Sequence, residues 1–130
     1  MPQFPMIPER AKILERIPEY AVTSEPAGQT VKIFYQGQIV AESQEALTVK
    51  ETKHKDVVYL PRSALHMEYF TSTDHSTYCP FKGHANYWTI NVDGHRDDNI
   101  VWSYEDPYPE VAELKDYVSF YTDRTSMELS

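Results

Sequence analysis

Apolar and polar residues alternate with a period of two along much of the chain between residues 31 and 105. The alternation is clearest at residues 31–35, 47–51 and 100–105. A period of two sends alternate side chains to opposite faces of a strand, whereas a helix repeats about every 3.6 residues. Aromatic residues, 13% of the chain, also favour a pleated surface. The pattern therefore predicts a mainly β protein with antiparallel strands.

Tight turns separate the predicted strands. Gly37 stands between two apolar segments, and residues 93–94 form the Asp-Gly pair that favours two-residue hairpins. A two-residue turn there would pair Tyr87 with Ile100 rather than with Trp102. The polar residues 95–99 favour a longer loop, which would shift this register and change which aromatic side chains share a face.

Two short segments have helical patterns. Residues 8–17 begin with a proline, which suits the first turn of a helix, and end before Pro18. Near the C-terminus, Pro109 precedes apolar residues within 111–118 at the spacing of one helical stripe. We therefore predict a short N-terminal helix and a short C-terminal helix on a compact β domain.

Length and composition limit the class of protein. The 130 residues, 41% of them hydrophobic, are enough for a single domain with its own core. A net charge of −8 argues against nucleic-acid binding, because that binding neutralises phosphates with Lys and Arg. No apolar run approaches the roughly 20 residues of a membrane span, and three prolines among the first eight residues argue against a signal peptide. We expect a soluble cytoplasmic protein of bacterial type that binds neither nucleic acid nor membranes.

Several motifs resemble one small bacterial and fungal family. They are residues 57–62 (VVYLPR), 77–88 (TYCPFKGHANYW), 101–104 (VWSY) and 117–121 (YVSFY). From about residue 31 to 124 the chain is similar to the family catalogued as domain of unknown function 427. The resemblance implies a compact antiparallel β-tent or half-barrel and no established activity. Within the single domain of residues 1–130, residues 1–28 would then be a peripheral extension of a family-like β domain at 29–124.

The resembled family is sometimes labelled a nucleotidyltransferase, a label that these residues do not support. Such enzymes hold divalent metal ions with carboxylates that share one strand face. The neighbouring Asp97 and Asp98 would point to opposite faces of a strand. No glycine-rich phosphate loop precedes a helix either.

Cys79 is the first residue with candidate chemistry. Pro80 biases it toward extended backbone, and a nearby cation such as Lys82 favours the reactive thiolate of a cysteine. His75 or His84 could serve as its base. The alternative is a small buried thiol that packs as a hydrophobic residue. The candidate catalytic residues are therefore Cys79 and Lys82.

A second set of residues, which matches positions of the resembled family's pattern, could form a binding pocket. A concave β surface with aromatic walls and converging Arg, Lys and Glu suits an anionic or ring-bearing small molecule. The alternative is that Glu51 forms a structural ion pair with Arg62 or Lys82 while the aromatic residues fill a core. The candidate ligand-binding residues are Glu51, Tyr59, Arg62, Thr77, Tyr87, Trp102 and Tyr104.

The sequence predicts neither a metal site nor a cofactor. One cysteine cannot form an intramolecular disulfide or a two-cysteine zinc knuckle. The spacing of His75, Cys79 and His84, with His95 further along, is uncommon for zinc.

Two functions follow from these features. The first is the binding, or the binding and transformation, of a small polar or anionic metabolite beside the Cys-Pro-Phe-Lys-Gly loop. The second is a non-catalytic module that binds a protein partner or forms a homodimer. A deep pocket with Cys79 at its mouth would favour the first, and an exposed apolar edge would favour the second. The residues name no substrate and leave open whether the protein is an enzyme.

Overall fold

The computed structural model describes residues 8–130. Residues 1–7 of the predicted extension therefore lie outside the described residues. The elements in chain order are α1 (Pro8–Arg16), β1 (Val22–Pro26), β2 (Val31–Tyr35), β3 (Gln38–Ser43), β4 (Leu47–Glu51), β5 (Val57–Pro61), 3₁₀ segments at Arg62–Ala64 and Met67–Tyr69, β6 (Phe70–Cys79), β7 (Gly83–Val92), β8 (His95–Ser103), a 3₁₀ segment at Pro109–Leu114, β9 (Tyr117–Phe120) and β10 (Ser126–Leu129). None of the helices in this part of the chain has the length and apolar character needed to cross a membrane.

The strands form two sheets. Seven strands pair in the order β1-β4-β5-β9-β8-β7-β6, and three pair in the order β10-β2-β3. Every strand pair is antiparallel. The predicted mainly β, antiparallel class with two short helices is therefore confirmed. β1 lies in the segment expected to be peripheral and forms one edge of the large sheet.

The large sheet has apolar side chains on both faces. Leu60 and Val101 belong to a core that also contains residues of the small sheet, such as Val31. Their neighbours Tyr59 and Trp102 belong to a second core on the opposite face, because successive strand residues alternate. This second face carries the candidate site.

The β7–β8 hairpin keeps its two-residue turn, so the expected longer loop was wrong. Ile90 pairs with Asp97 in the register of a two-residue turn, but Tyr87 pairs with Trp102. The shift arises from a bulge between these pairs, where Asn99 has a φ of 56°. The bulge therefore places the two aromatic residues directly opposite each other on one face.

The C-terminal helix is shorter than the spacing of apolar residues predicted. It is a 3₁₀ segment at Pro109–Leu114 whose Val111 has non-helical angles. The chain then turns at Asp116, where φ is 62°, and Tyr117–Phe120 forms β9 between β5 and β8. Backbone pairing with two distant strands thus outweighs the local helical spacing.

Candidate functional site

A cavity of about 290 Å³ lies on the second face of the large sheet. β5, β7 and β8 contribute aromatic walls, because their alternate residues share this face. The end of β4 and the turn after β6 add charged residues. Seven of the nine predicted site residues line this cavity, namely Glu51, Tyr59, Cys79, Lys82, Tyr87, Trp102 and Tyr104. We call it the Lys82 cavity.

The other two predicted residues do not line the cavity. Thr77 supports it from outside, since its Oγ1 lies 2.9 Å from the hydroxyl of Tyr87. Arg62 lies elsewhere, in an open groove of about 660 Å³. Its guanidinium carbon lies 5.9 Å from the centroid of the Trp88 ring, and its Nη1 lies 3.7 Å from Oε2 of Glu105. The structure therefore separates Arg62 from the other polar candidates.

The turn between β6 and β7 fixes Lys82 at the cavity. The Lys82 amide donates to the carbonyl of Cys79 at 3.3 Å, and the Lys82 carbonyl accepts from the amide of Tyr108 at 3.0 Å. Gly83 has a φ of +116°, and a Cβ there would lie 3.3 Å from the carbonyl oxygen of Asp106. Glycine is therefore required at this position by both its backbone angle and a close approach.

Glu51 and Lys82 form an ion pair within the cavity wall. Lys82 Nζ lies 2.5 Å from Glu51 Oε1, and the two side chains are 11% and 12% exposed. Tyr20 donates a hydrogen bond to Oε2 of the same carboxylate. His54 Nε2 lies 3.7 Å from Oε2. Both carboxylate oxygens thus have partners.

These contacts set the charge of Glu51. Burial opposes its ionisation, but the hydrogen bonds from Lys82 and Tyr20 outweigh burial and hold the pKa of Glu51 below its usual value. The residue is therefore a carboxylate at neutral pH. Because both its oxygens are engaged, its role in this arrangement is to hold Lys82 in place.

Two buried tyrosines supply hydroxyl groups to the cavity. Tyr59 is 2% exposed and accepts a hydrogen bond from Trp102 Nε1 at 3.1 Å. Tyr104 is 7% exposed, and its hydroxyl bonds to no group among the residues that the structure describes. Burial raises the pKa of both phenols, so both keep their protons and can donate at neutral pH.

The hydrogen-bonding balance of the cavity favours donors. An ammonium group has three N–H donors, and within residues 8–130 only Glu51 accepts from Lys82 Nζ. The hydroxyls of Tyr59 and Tyr104 add two more donors. Glu51 is the one acidic residue in the lining, and its acceptors are already used. The arrangement can therefore bind a group with acceptor oxygens.

Cys79 is the last residue of β6, half-buried and paired with Gly83. It lines the same cavity as Tyr59 and Tyr104. The two histidines proposed as its base lie outside the cavity lining. The ring centroids of His75 and Tyr87 lie 4.5 Å apart, and those of His84 and Tyr78 lie 4.9 Å apart.

Among the described residues, no group of three or more His, Cys, Asp or Glu side chains is placed to hold a metal ion. His75, Cys79 and His84 therefore do not form such a group in the described part of the chain. That the protein binds no metal stays a prediction, which elemental analysis of the purified protein tests.

The sequence did not indicate Tyr20 as a site residue. Its hydroxyl reaches Glu51 across 31 residues, and its ring stacks on Phe81 with centroids 4.5 Å apart. A contact over this separation leaves no local pattern. Tyr121, which also lines the cavity, lies in a motif that carried the family resemblance but was not singled out.

Comparison with known proteins identifies the family of the chain. A family model described as "Domain of unknown function (DUF427)" matches residues 23–130. The match confirms the resemblance and extends it beyond residues 31–124 at both ends. No curated protein matches the chain. Glu51 and Lys82 lie inside the matched region, whereas Tyr20 precedes it.

Proposed function

The chain belongs to the family of domain of unknown function 427, whose description names no activity, and we propose that it binds a small polar or anionic molecule in the Lys82 cavity. The ligand is rich in hydrogen-bond acceptors, as a carboxylate, a carbonyl compound or a phosphate is. Lys82 and Tyr104 make the polar contacts, while Tyr59, Tyr87 and Trp102 form the walls.

The observation that carries this proposal is the hydroxyl of Tyr104. A buried polar group that lacks a hydrogen bond costs about 1–3 kcal/mol. Tyr104 is 7% exposed, lines the cavity and has no partner among the described residues. A ligand oxygen in the cavity would satisfy this donor.

The charges around the cavity support an anionic ligand. Lys82 is held by one carboxylate, while Lys55 and His54 add further basic groups to the lining. Clefts lined by one sign of charge attract ligands of the opposite sign. The protein as a whole carries −8, so this local excess of basic groups is a property of the cavity alone.

A titration followed by ¹H–¹⁵N NMR tests the proposal. The probes are sodium acetate, inorganic phosphate and, as a cationic comparison, ethylammonium chloride. We expect acetate or phosphate to shift the amide of Lys82 and the indole N–H of Trp102, while ethylammonium leaves both unchanged. Equal shifts with all three probes, or shifts confined to another surface, would contradict the proposal.

Substitution of Lys82 identifies the anion's partner. Lys82→Met should remove the acetate shifts, whereas Lys115→Met removes an exposed lysine outside the cavity and should keep them. Lys82→Met leaves Glu51 unpaired, so the double variant Glu51→Gln/Lys82→Met serves as a second test with no uncompensated charge. Retained acetate binding in the double variant would exclude Lys82 as the anchor.

Self-association is a second candidate, favoured by one observation. β10 is an outer strand of the small sheet, and its Leu129 is 49% exposed. Exposed strand edges with apolar side chains can pair between molecules. Sedimentation velocity over a wide concentration range tests this: a dimer that Leu129→Gln dissociates would support it, and a monomer throughout would reject it.

A further inference from the structure

A second cavity, of about 270 Å³, adjoins the Lys82 cavity. Four residues line both spaces, namely Lys55, Val57, Trp102 and Tyr121. We call the second space the Met127 cavity, after a residue that lines it and not the first. The two spaces are therefore neighbours with a common wall.

Two aromatic rings belong to that common wall. The rings of Trp102 and Tyr121 lie 4.8 Å apart between centroids at an angle of 52°. Trp102 is held by its hydrogen bond to Tyr59. Three of the four shared residues, Val57, Trp102 and Tyr121, have aliphatic or aromatic side chains, so a ligand that spans both cavities would lie mainly against apolar groups.

The two cavities differ in character. The Lys82 cavity contains the ion pair and the two buried phenols. The Met127 cavity presents mainly apolar surface, with side chains such as Ile33, Val58 and Phe120, although polar residues such as Thr122 and Thr125 also line it. Its acidic residues are exposed, and Asp56 among them is paired with Lys50 at 2.9 Å. One end of the combined space therefore favours polar groups and the other favours apolar groups.

We propose that the two cavities form one bipartite site for an amphipathic carboxylic acid. The carboxylate binds at Lys82, and the apolar chain lies against Trp102 and enters the Met127 cavity. This inference rests on the proposed function for its polar end and adds the class of molecule. It predicts that affinity increases with the length of the apolar chain.

A series of straight-chain carboxylates tests the inference. The probes are acetate, butyrate and hexanoate, with hexanol as the uncharged comparison, and dissociation constants come from NMR titration or calorimetry. Full burial of one methylene group corresponds to about a fourfold gain in affinity. We expect hexanoate to bind at least about tenfold more tightly than acetate, since burial of the chain is incomplete, and hexanol to bind more weakly than hexanoate.

A matched pair of methionine variants locates the apolar end. Met127 and Met67 are 37% and 47% exposed, and Met67 lines the separate open groove that contains Arg62. Met127→Gln should weaken hexanoate binding about fivefold and leave acetate binding unchanged. Met67→Gln should change neither. Equal effects of the two substitutions would overturn the bipartite site.

The outcomes separate this inference from the proposed function. If acetate and hexanoate bind equally, and Glu51→Gln/Lys82→Met abolishes both, the bipartite site is wrong while the Lys82 site stands. If hexanoate binds the double variant as it binds the native chain, the proposed polar anchor is wrong, and the bipartite site falls with it. Length-dependent binding that requires both Lys82 and Met127 supports both.

Discussion

Lys82→Met is the perturbation that most directly tests the ion pair. The substitution keeps a long side chain but removes the ammonium group that lies 2.5 Å from Glu51. Glu51 then remains in a wall where its side chain is 12% exposed, with Tyr20 as its remaining close donor. Breaking a buried pair leaves one charge uncompensated, and this is more costly than removing both partners.

The size of the effect follows from burial. Removal of one partner from a buried pair costs about 3–5 kcal/mol, and the low end applies here because Tyr20 still donates to Glu51. With an unfolding entropy of about 2.1 cal/mol/K per residue over this chain, a loss of about 3 kcal/mol lowers Tm by about 11 °C. Glu51→Gln/Lys82→Met should recover most of that loss.

The pH dependence gives a sign as well as a size. In the native chain the pKa of Glu51 is held below its usual value, so its stabilising contribution is present above the unfolded pKa of about 4.3 and is lost as pH falls through the folded pKa. Without Lys82 the pKa of Glu51 is higher than in the native chain. The stability difference between the two proteins should therefore be largest at pH 7 and shrink as pH falls toward about 4.

Urea denaturation at pH 7, 5.5 and 4.5, followed by tryptophan fluorescence, measures these differences. Lys115→Met is the control for loss of a lysine, and an exposed substitution of this kind should stay within about 0.5 kcal/mol of the native chain. A loss below about 1 kcal/mol for Lys82→Met at pH 7, or a loss independent of pH, would refute the assigned pairing.

Three further predictions concern the same site. Tyr20→Phe removes one donor to Glu51 and should cost about 1.5–3 kcal/mol, measured by urea denaturation; an unchanged midpoint would show that the bond contributes nothing. Gly83→Ala should cost about 1–3 kcal/mol in urea denaturation, because φ is +116° and the new Cβ meets a backbone carbonyl at 3.3 Å, whereas the Cβ of Gly94→Ala meets nothing within 4 Å and this variant should lose less stability. Iodoacetamide should modify Cys79, the one cysteine of the chain, more slowly in saturating hexanoate; mass spectrometry that shows equal rates would place the ligand elsewhere.

The local parts of the fold could be predicted from sequence. The turns at Gly37 and at residues 93–94 lie where their residue types place them. The bulge at Asn99 could not be predicted, because it depends on how β8 meets β7 and β9 together. For the same reason residues 117–120 resemble the end of a helix in sequence but form a strand.

The candidate site could be predicted as far as strand alternation reaches. Tyr59, Tyr87 and Trp102 share one face because each occupies the corresponding position of its strand. Arg62 follows the end of β5, where alternation no longer determines direction, and it turns to the groove beside Trp88. The contact between Tyr20 and Glu51 could not be predicted either, because it joins two segments that are 31 residues apart in the chain.

The position of Tyr20 has a practical consequence for the choice of domain boundaries. The family model begins at residue 23, yet the network around Glu51 extends to residue 20. A chain trimmed to the matched residues would still contain Glu51, Lys82 and the aromatic walls. It would nevertheless hold a weaker acid at its centre, because the carboxylate would lose a donor and retain its proton to a higher pH. Affinities measured on such a fragment would describe a different binding site from that of the whole chain.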